Sequence, residues 1–200
     1  MTAGGIVLCG GRSSRMGRPK ALLPFGDEVL LQRVVRVLRG VVDPVVVVAA
    51  PGQELPDLGG ILIARDDREF LGPLNGLAAG LAALDGRADV AYASACDAPF
   101  LTGDFIRRVL GHLEGVDVAM PDVGGLRHPL AAGYRLSVRP AVRALLDRGS
   151  RRLLDLTDVC RTRLVAESEL IDLEPLRNLN TPEEYAACGA ARSNAAGGRS

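Results

Sequence analysis

Three arginines and a lysine, Arg12, Arg15, Arg18 and Lys20, crowd behind the pair Gly10-Gly11, and an apolar run, Ile6-Val7-Leu8-Cys9, leads straight into them. Glycine at the exit of a buried strand lets the chain turn sharply and lets backbone N–H groups approach an anion with no Cβ in the way. Guanidinium forks and a flexible ammonium then reach oxygens that the glycines do not cover. This is the chemistry of a phosphate cradle. Its spacing is neither G-x-x-x-x-G-K-[ST] nor G-x-G-x-x-G, which argues against a motor ATPase and against a dinucleotide-binding dehydrogenase.

The carboxylates that could complement such a loop are few. Asp97 follows a small, apolar stretch in A-C-D-A-P-F. A single carboxylate there suits Mg²⁺, which keeps several waters and takes most other ligands from substrate phosphates. The competing reading is an Asp that only satisfies N–H groups in the turn before Pro99. Asp66 and Asp67 are adjacent, so one can face a ligand while the other is solvated, and the residue types do not choose between them. His128 stands before Pro129 with no neighbouring Ser or Cys that would form a nucleophile relay with it, so it reads as a packed or surface side chain. Cys9 and Cys96 sit at strand ends, where cysteine acts as a small hydrophobe.

The elements needed to hold these groups are readable from periodicity. Residues 28–39 (EVLLQRVVRVLR) carry apolar side chains at helical spacing. Residues 44–49 are β-branched without alternation, as in a strand buried on both faces of a parallel sheet. Residues 51–60 read as a loop and residues 61–64 as a third short buried strand. Residues 73–84 (PLNGLAAGLAAL) read as a helix whose small Gly76 and Gly80 give it a close-packed face. Residues 90–95 are the next strand. Thr102 caps a helix ending near Leu113, residues 116–120 form a strand, and residues 130–134 a further, antiparallel one. Residues 137–147 and 151–158 read as helices and residues 160–166 as an edge strand. Thr181, Pro182 and Glu184 supply an N-cap, a first helical proline and a capping-box acid. From Gly189 to residue 200 the chain is small and polar and is expected to be a disordered tail. Strands alternating with helices predict a single-domain, Rossmann-like α/β three-layer sandwich with a mostly parallel central sheet. In such sheets ligands sit at the carboxyl ends of the strands. The 10–20 loop, Asp66/Asp67 and Asp97 all fall at such ends.

Two hundred residues, 48% of them hydrophobic, suffice for one substantial core. Equal numbers of acidic and basic residues, 24 of each, give no global field toward nucleic acid or an anionic membrane, so the N-terminal arginines mark a local site for a small partner. The four cysteines, Cys9, Cys96, Cys160 and Cys188, contain no C-x-x-C pair, which argues against a zinc site or a disulfide scaffold and fits a reducing cytoplasm. With no signal-like start and no membrane-length apolar run, the expectation is a soluble cytosolic protein.

Taken together, the motifs match a family. L-C-G-G-R-S-S-R-M-G-R-P-K-A-L-L (residues 8–23) resembles the first loop of the nucleotidyltransferases that activate molybdopterin. The match continues through G-P-L-N-G-L (72–77), C-D-A-P-F-L (96–101), H-P-L (128–130) and N-L-N-T-P-E-E-Y (178–185). Gly10 and the Asn180-Thr181-Pro182 ending resemble the guanylyltransferase branch. R-P-K-A-L-L-P-F-G is shared with the cytidylyltransferase branch, and Ala49 or Ala50 stands where guanylyltransferases can place an asparagine.

The resemblance implies a nucleotidyltransferase domain over residues 1–188 that moves GMP from GTP to the terminal phosphate of molybdopterin and releases pyrophosphate. It implies that Leu8, Gly10 and Gly11 contact the nucleotide, that Arg15 and Lys20 hold phosphates, and that Asp66 or Asp67 lies near the nucleoside. Asp97 would hold Mg²⁺, and Asn178 and Asn180 would face molybdopterin. Implied partners are the two small substrates, with transient contact to molybdopterin-handling proteins and apo-molybdoenzymes. Two other functions stay open at this point: a cytidylyl- or sugar-1-phosphate nucleotidyltransferase, and a non-catalytic nucleotide-binding carrier of molybdopterin.

Overall fold

Strand β1 (Ala3–Leu8) lies in the interior of the sheet, with Ile6 and Val7 wholly buried. Its neighbours are β4 (Val45–Ala49) and β6 (Val90–Ala95), both parallel to it, with Leu8 level with Val48 on one side and Ala95 on the other. Three strand ends therefore finish at the same height. The computed structural model describes residues 1–9, 19–65 and 72–196, with side chains described to residue 189. Beyond β4 runs β5 (Leu62–Arg65), parallel again. On the other flank β9 (Ala131–Arg135) runs antiparallel to both β6 and β7 (Val118–Val123). β10 (Thr162–Ala166) closes that edge parallel to β7, and the two-residue β8 (Leu126–Arg127) folds back on β7. The order is β10-β7-β9-β6-β1-β4-β5, the expected mostly parallel sheet, with β9 reversed along it and the short β8 reversed beside β7.

Helices cover both faces because the buried strands are apolar on both. α1 (Leu30–Arg39) and α3 (Gly103–Gly111) pack with Val7, Val47 and Tyr92 on one side. α2 (Pro73–Ala83) and α4 (Arg139–Asp147) pack with Ile6, Val46 and Ala93 on the other. α2 approaches β1 closely. A Cβ on Gly80 would lie 2.6 Å from Ile6 Cγ2, and one on Gly76 would lie 3.3 Å from the Leu8 methyls, which accounts for the small residues four apart. The Thr102 cap is formed as the sequence predicts, its hydroxyl accepting from Phe105 N–H at 3.3 Å.

Three local readings need correction. Residues 62–65 form a sheet-edge strand with Ile63 half exposed, not a buried one, because among the described residues nothing pairs with β5 beyond β4. Glu28-Val29 is not the start of α1. It is β3 (Glu28–Val29), paired antiparallel with β2 (Pro24–Phe25) around the tight turn at Gly26, whose φ of 67° suits glycine. Residues 151–158 form a 3₁₀ turn over Leu153–Asp158 in place of an α-helix.

Two segments far apart in sequence meet in a third small core, where Leu23, Phe25 and Leu30 pack against Leu179 and Cys188. From here α5 (Pro182–Ala196) departs, its helical backbone running on past Gly189, where the sequence reading begins the tail. Among the described residues no helix is long and apolar enough to cross a membrane.

Candidate active site

Asp97 is the second residue after β6, and only 8% of it is exposed. The strand end is fixed by Cys96 N–H donating to the Leu8 carbonyl at 3.1 Å, while the Asp97 carbonyl accepts from Leu179 N–H at 3.0 Å. Lys20 opens a single 3₁₀ turn (Lys20–Leu22) behind Pro19. Its ammonium donates to Asp97 Oδ2 at 2.6 Å and to Asn180 Oδ1 at 3.0 Å. Asn180 is held in turn by the start of α5. Glu184 accepts from Asn180 N–H at 2.7 Å and from Thr181 N–H at 3.2 Å, and Thr181 Oγ1 accepts from Glu184 N–H at 3.2 Å. That reciprocal capping box lowers the Glu184 carboxyl below its ordinary range, because the two backbone donors favour the charged form.

A polar strap crosses the ends of β1, β4 and β5. Gln53 Nε2 donates to the Cys9 carbonyl at 3.0 Å, and Gln53 Oε1 accepts from Ala50 N–H at 3.0 Å. Arg65 donates to the carbonyls of Ala50 and Gln53, each at 2.9 Å. The strap fixes the end of β1 at Cys9. Beneath it the Cys9 and Cys96 thiols share a hydrogen bond, which lowers the Cys9 thiol and, with burial, raises the Cys96 thiol.

On the other side an aromatic brace joins three segments. Phe25 and Phe100 meet edge to face with centroids 6.0 Å apart. The Arg33 guanidinium lies 5.2 Å from the Phe25 ring, and that of Arg177 lies 4.9 Å from the Phe100 ring. Arg33 Nε also donates to the Pro99 carbonyl at 2.5 Å, and the Tyr185 hydroxyl donates to the Pro24 carbonyl. The turn carrying Asp97 is thus clamped between the N-terminal hairpin and the C-terminal segment.

A cleft of about 230 Å³ opens between β6, the turn after β8 and residues 175–178, with Asn178 and His128 in its lining. Burial lowers the His128 imidazole below its ordinary value, so it is a neutral polar group near pH 7.

Of the residues singled out by sequence, Lys20, Asp97 and Asn180 form one cluster, Asn178 lies in the adjoining cleft, and Leu8 ends β1 beside them. Gly10, Gly11, Arg15, Asp66 and Asp67 lie outside the described residues. Sequence reasoning missed Gln53, Arg65 and the aromatic brace, none of which carries a local signal. It also missed Tyr92, whose signal was a lone aromatic among the small residues of V-A-Y-A-S-A. Among the described residues no three His, Cys, Asp or Glu side chains gather as a metal site. Of the described residues, Asp97 is a carboxylate that a cation held here could take, a hard oxygen donor of the kind Mg²⁺ accepts beside phosphate and water.

A lysine on a 3₁₀ turn and an aspartate past a strand end, joined to a distant asparagine, suit the handling of anionic phosphates. Comparison with known proteins supplies the lineage, for the MobA-like NTP transferase domain matches residues 5–164. The chain belongs to that family. Within it, a probable molybdenum cofactor guanylyltransferase of Mycobacterium marinum is 38% identical over 188 residues, covering 92% of this chain and 91% of the relative. One of the same name from Mycobacterium tuberculosis is 37% identical over 182 residues, covering 88% of each. Among solved structures, molybdopterin-guanine dinucleotide biosynthesis protein A from Archaeoglobus fulgidus superposes with a TM-score of 0.78 at 20% identity, covering 96% of this chain and 99% of that one. The 2-C-methyl-D-erythritol 4-phosphate cytidylyltransferase of Thermus thermophilus superposes at 0.70 with 18% identity, covering 94% and 98%. These likenesses establish the α/β nucleotidyltransferase fold. They also mean that, within the wider fold, backbone shape alone does not select the base.

Proposed function

We propose that this MobA-like enzyme transfers GMP from GTP to the terminal phosphate of molybdopterin, releasing pyrophosphate and forming the guanine dinucleotide. The observation that carries the reading is the Lys20 ammonium between Asp97 and Asn180, which unites the phosphate-loop end of the chain with the N-L-N-T-P end. The names of the relatives at 37–38% identity support guanine and molybdopterin.

The reaction needs little from the protein beyond positioning. The acceptor phosphate is already anionic near neutral pH, so it attacks the α-phosphorus in line without a general base. Neutralising and aligning charge is then the main task. Lys20 and Arg15 hold phosphate oxygens, and the backbone of Leu8, Gly10 and Gly11 receives the nucleotide. Asp66 or Asp67 faces the nucleoside, and Asn178 and Asn180 orient the acceptor through their amides. Asp97 would hold Mg²⁺, which when bound supplies positive charge to the triphosphate. The free thiols of Cys9, Cys96, Cys160 and Cys188 support a reducing cytoplasm as its place of work, with apo-molybdoenzymes receiving the product.

The test is an assay of purified protein with molybdopterin, Mg²⁺ and equal GTP and CTP. Pyrophosphate release with the guanine dinucleotide as main product, lost on magnesium chelation, is expected. Preference for CTP would reassign the protein to cytidylyl transfer, and nucleotide binding without pyrophosphate release would make it a carrier.

A further inference from the structure

Strand β6 reads V-A-Y-A-S-A, one large aromatic among small residues. Tyr92 is wholly buried, and its in-register neighbours are Gly5 on β1 and Gly133 on β9. The space that a Cβ on either glycine would take is lined by aliphatic side chains, Val42, Val45 and Leu38 over Gly5 and Leu110 and Leu113 over Gly133, so the ring stands in an apolar setting. The Tyr92 hydroxyl is buried and has no hydrogen-bond partner among the described residues. A buried hydroxyl without a partner costs stability, and phenylalanine would fill the same apolar space without that cost.

The side chain lines the cleft of about 230 Å³, a volume of the order of one bicyclic ring system. The cleft has walls suited to a flat ring, with Leu101 and Leu130 among them, and polar groups from Ser94, His128 and Asn178. It also adjoins the transfer centre through three consecutive residues. Asn178 lines it, Leu179 N–H donates to the Asp97 carbonyl, and Asn180 accepts from Lys20. Burial keeps the Tyr92 phenol protonated, so it can both donate and accept.

We propose that the Tyr92 hydroxyl is a specificity-determining group of the acceptor subsite, hydrogen-bonding the polar edge of a fused heterocycle that enters the cleft from the Lys20–Asn180 side. This rests on the proposed transfer to molybdopterin, and the heterocycle is then its pterin. A site that spends a buried hydroxyl on a substrate edge rejects rings lacking the matching group, because the hydroxyl is otherwise left unpaired.

The experiment compares wild type with Tyr92→Phe in three readouts: acceptor and GTP kinetics, thermal unfolding, and titration with free pterin followed by its fluorescence. The variant should keep or raise Tm, leave KM for GTP unchanged, raise KM for molybdopterin about three- to tenfold, and weaken pterin binding by a similar factor. An unchanged acceptor KM and pterin affinity would overturn the proposal. A lowered Tm would also overturn it, since the hydroxyl would then be bonded within the fold. If wild type fails to release pyrophosphate from GTP and molybdopterin, the transfer reading falls, while the pterin titration still judges Tyr92.

Discussion

Lys20 carries the largest share of the proposed chemistry, because one flexible ammonium touches both a strand-end carboxylate and the asparagine of the far segment. Its side chain is 19% exposed and that of Asp97 12%, so the pair is shielded without being sealed from solvent. Removing it takes away positive charge that the transition state needs more than the fold does. Lys20→Ala is expected to lower kcat/KM for GTP on the order of 100-fold. The accompanying stability loss should be about 1 kcal/mol, a fall of roughly 2–4 °C in Tm for a chain of this size. Steady-state kinetics beside a thermal melt checks this, and near-normal turnover would remove the phosphate-holding role. The residue types around Lys20 were legible in the sequence because a glycine pair followed by cations has few other uses. The partnership of Lys20 with Asn180 was not legible. The two are 160 positions apart, and no local pattern encodes a contact at that separation.

At the scale of elements, α2 and β1 show how the site is seated. Helix propensity alone favours Ala over Gly by about 1 kcal/mol in a helix interior. At Gly80 the added Cβ would meet Ile6 Cγ2 at 2.6 Å in the middle of the core, and overpacking there costs about 1–3 kcal/mol. The clash wins, so Gly80→Ala should destabilise. Gly111→Ala, at the end of α3 where a Cβ meets nothing within 4 Å, should be neutral or stabilising by a few tenths of a kcal/mol. Urea unfolding of the two variants distinguishes propensity from packing, and equal shifts in both would refute the close-approach argument. These elements were readable because amphipathic spacing and caps are local: α1, the Thr102 cap and the Thr181–Glu184 box all form from residues a few positions apart. β5 was misread because an apolar tetrapeptide looks the same at the edge of a sheet as at its centre. Only the strand order distinguishes them.

For the whole molecule, the decisive feature is that residues 23–33 and 177–188, far apart in sequence, are packed together beside the turn that carries Asp97. The Phe25–Phe100 contact, the Arg33 and Arg177 guanidinium contacts and the shared core of Leu23, Leu30, Leu179 and Cys188 hold them there. An aromatic pair contributes about 0.5–1.5 kcal/mol beyond area burial and a cation–π contact about 0.5–1 kcal/mol. Phe100→Ala should therefore lower stability by about 2 kcal/mol. It should also lower kcat/KM roughly tenfold by loosening the Lys20–Asn180 geometry, since misplacement of positioning groups is costly to rate. Equilibrium unfolding and kinetics on one preparation test both, and an undiminished rate in a destabilised variant would separate the brace from the site.

The sequence by itself determined which chemical groups are available and which local elements carry them, because periodicity, capping and glycine placement act over a few residues. It placed Asp97 past a strand, Lys20 in a cationic loop and Asn178 and Asn180 before a capped helix. Tertiary structure decided which of these meet. The order β6-β1-β4 aligns the strand ends, and the small core joining residues 23–30 to Leu179 and Cys188 brings Asn180 to Lys20. The strands on either side of Tyr92 are distant in sequence, so the buried setting of its ring, and the hydroxyl left without a partner among the described residues, exist only once the sheet is assembled.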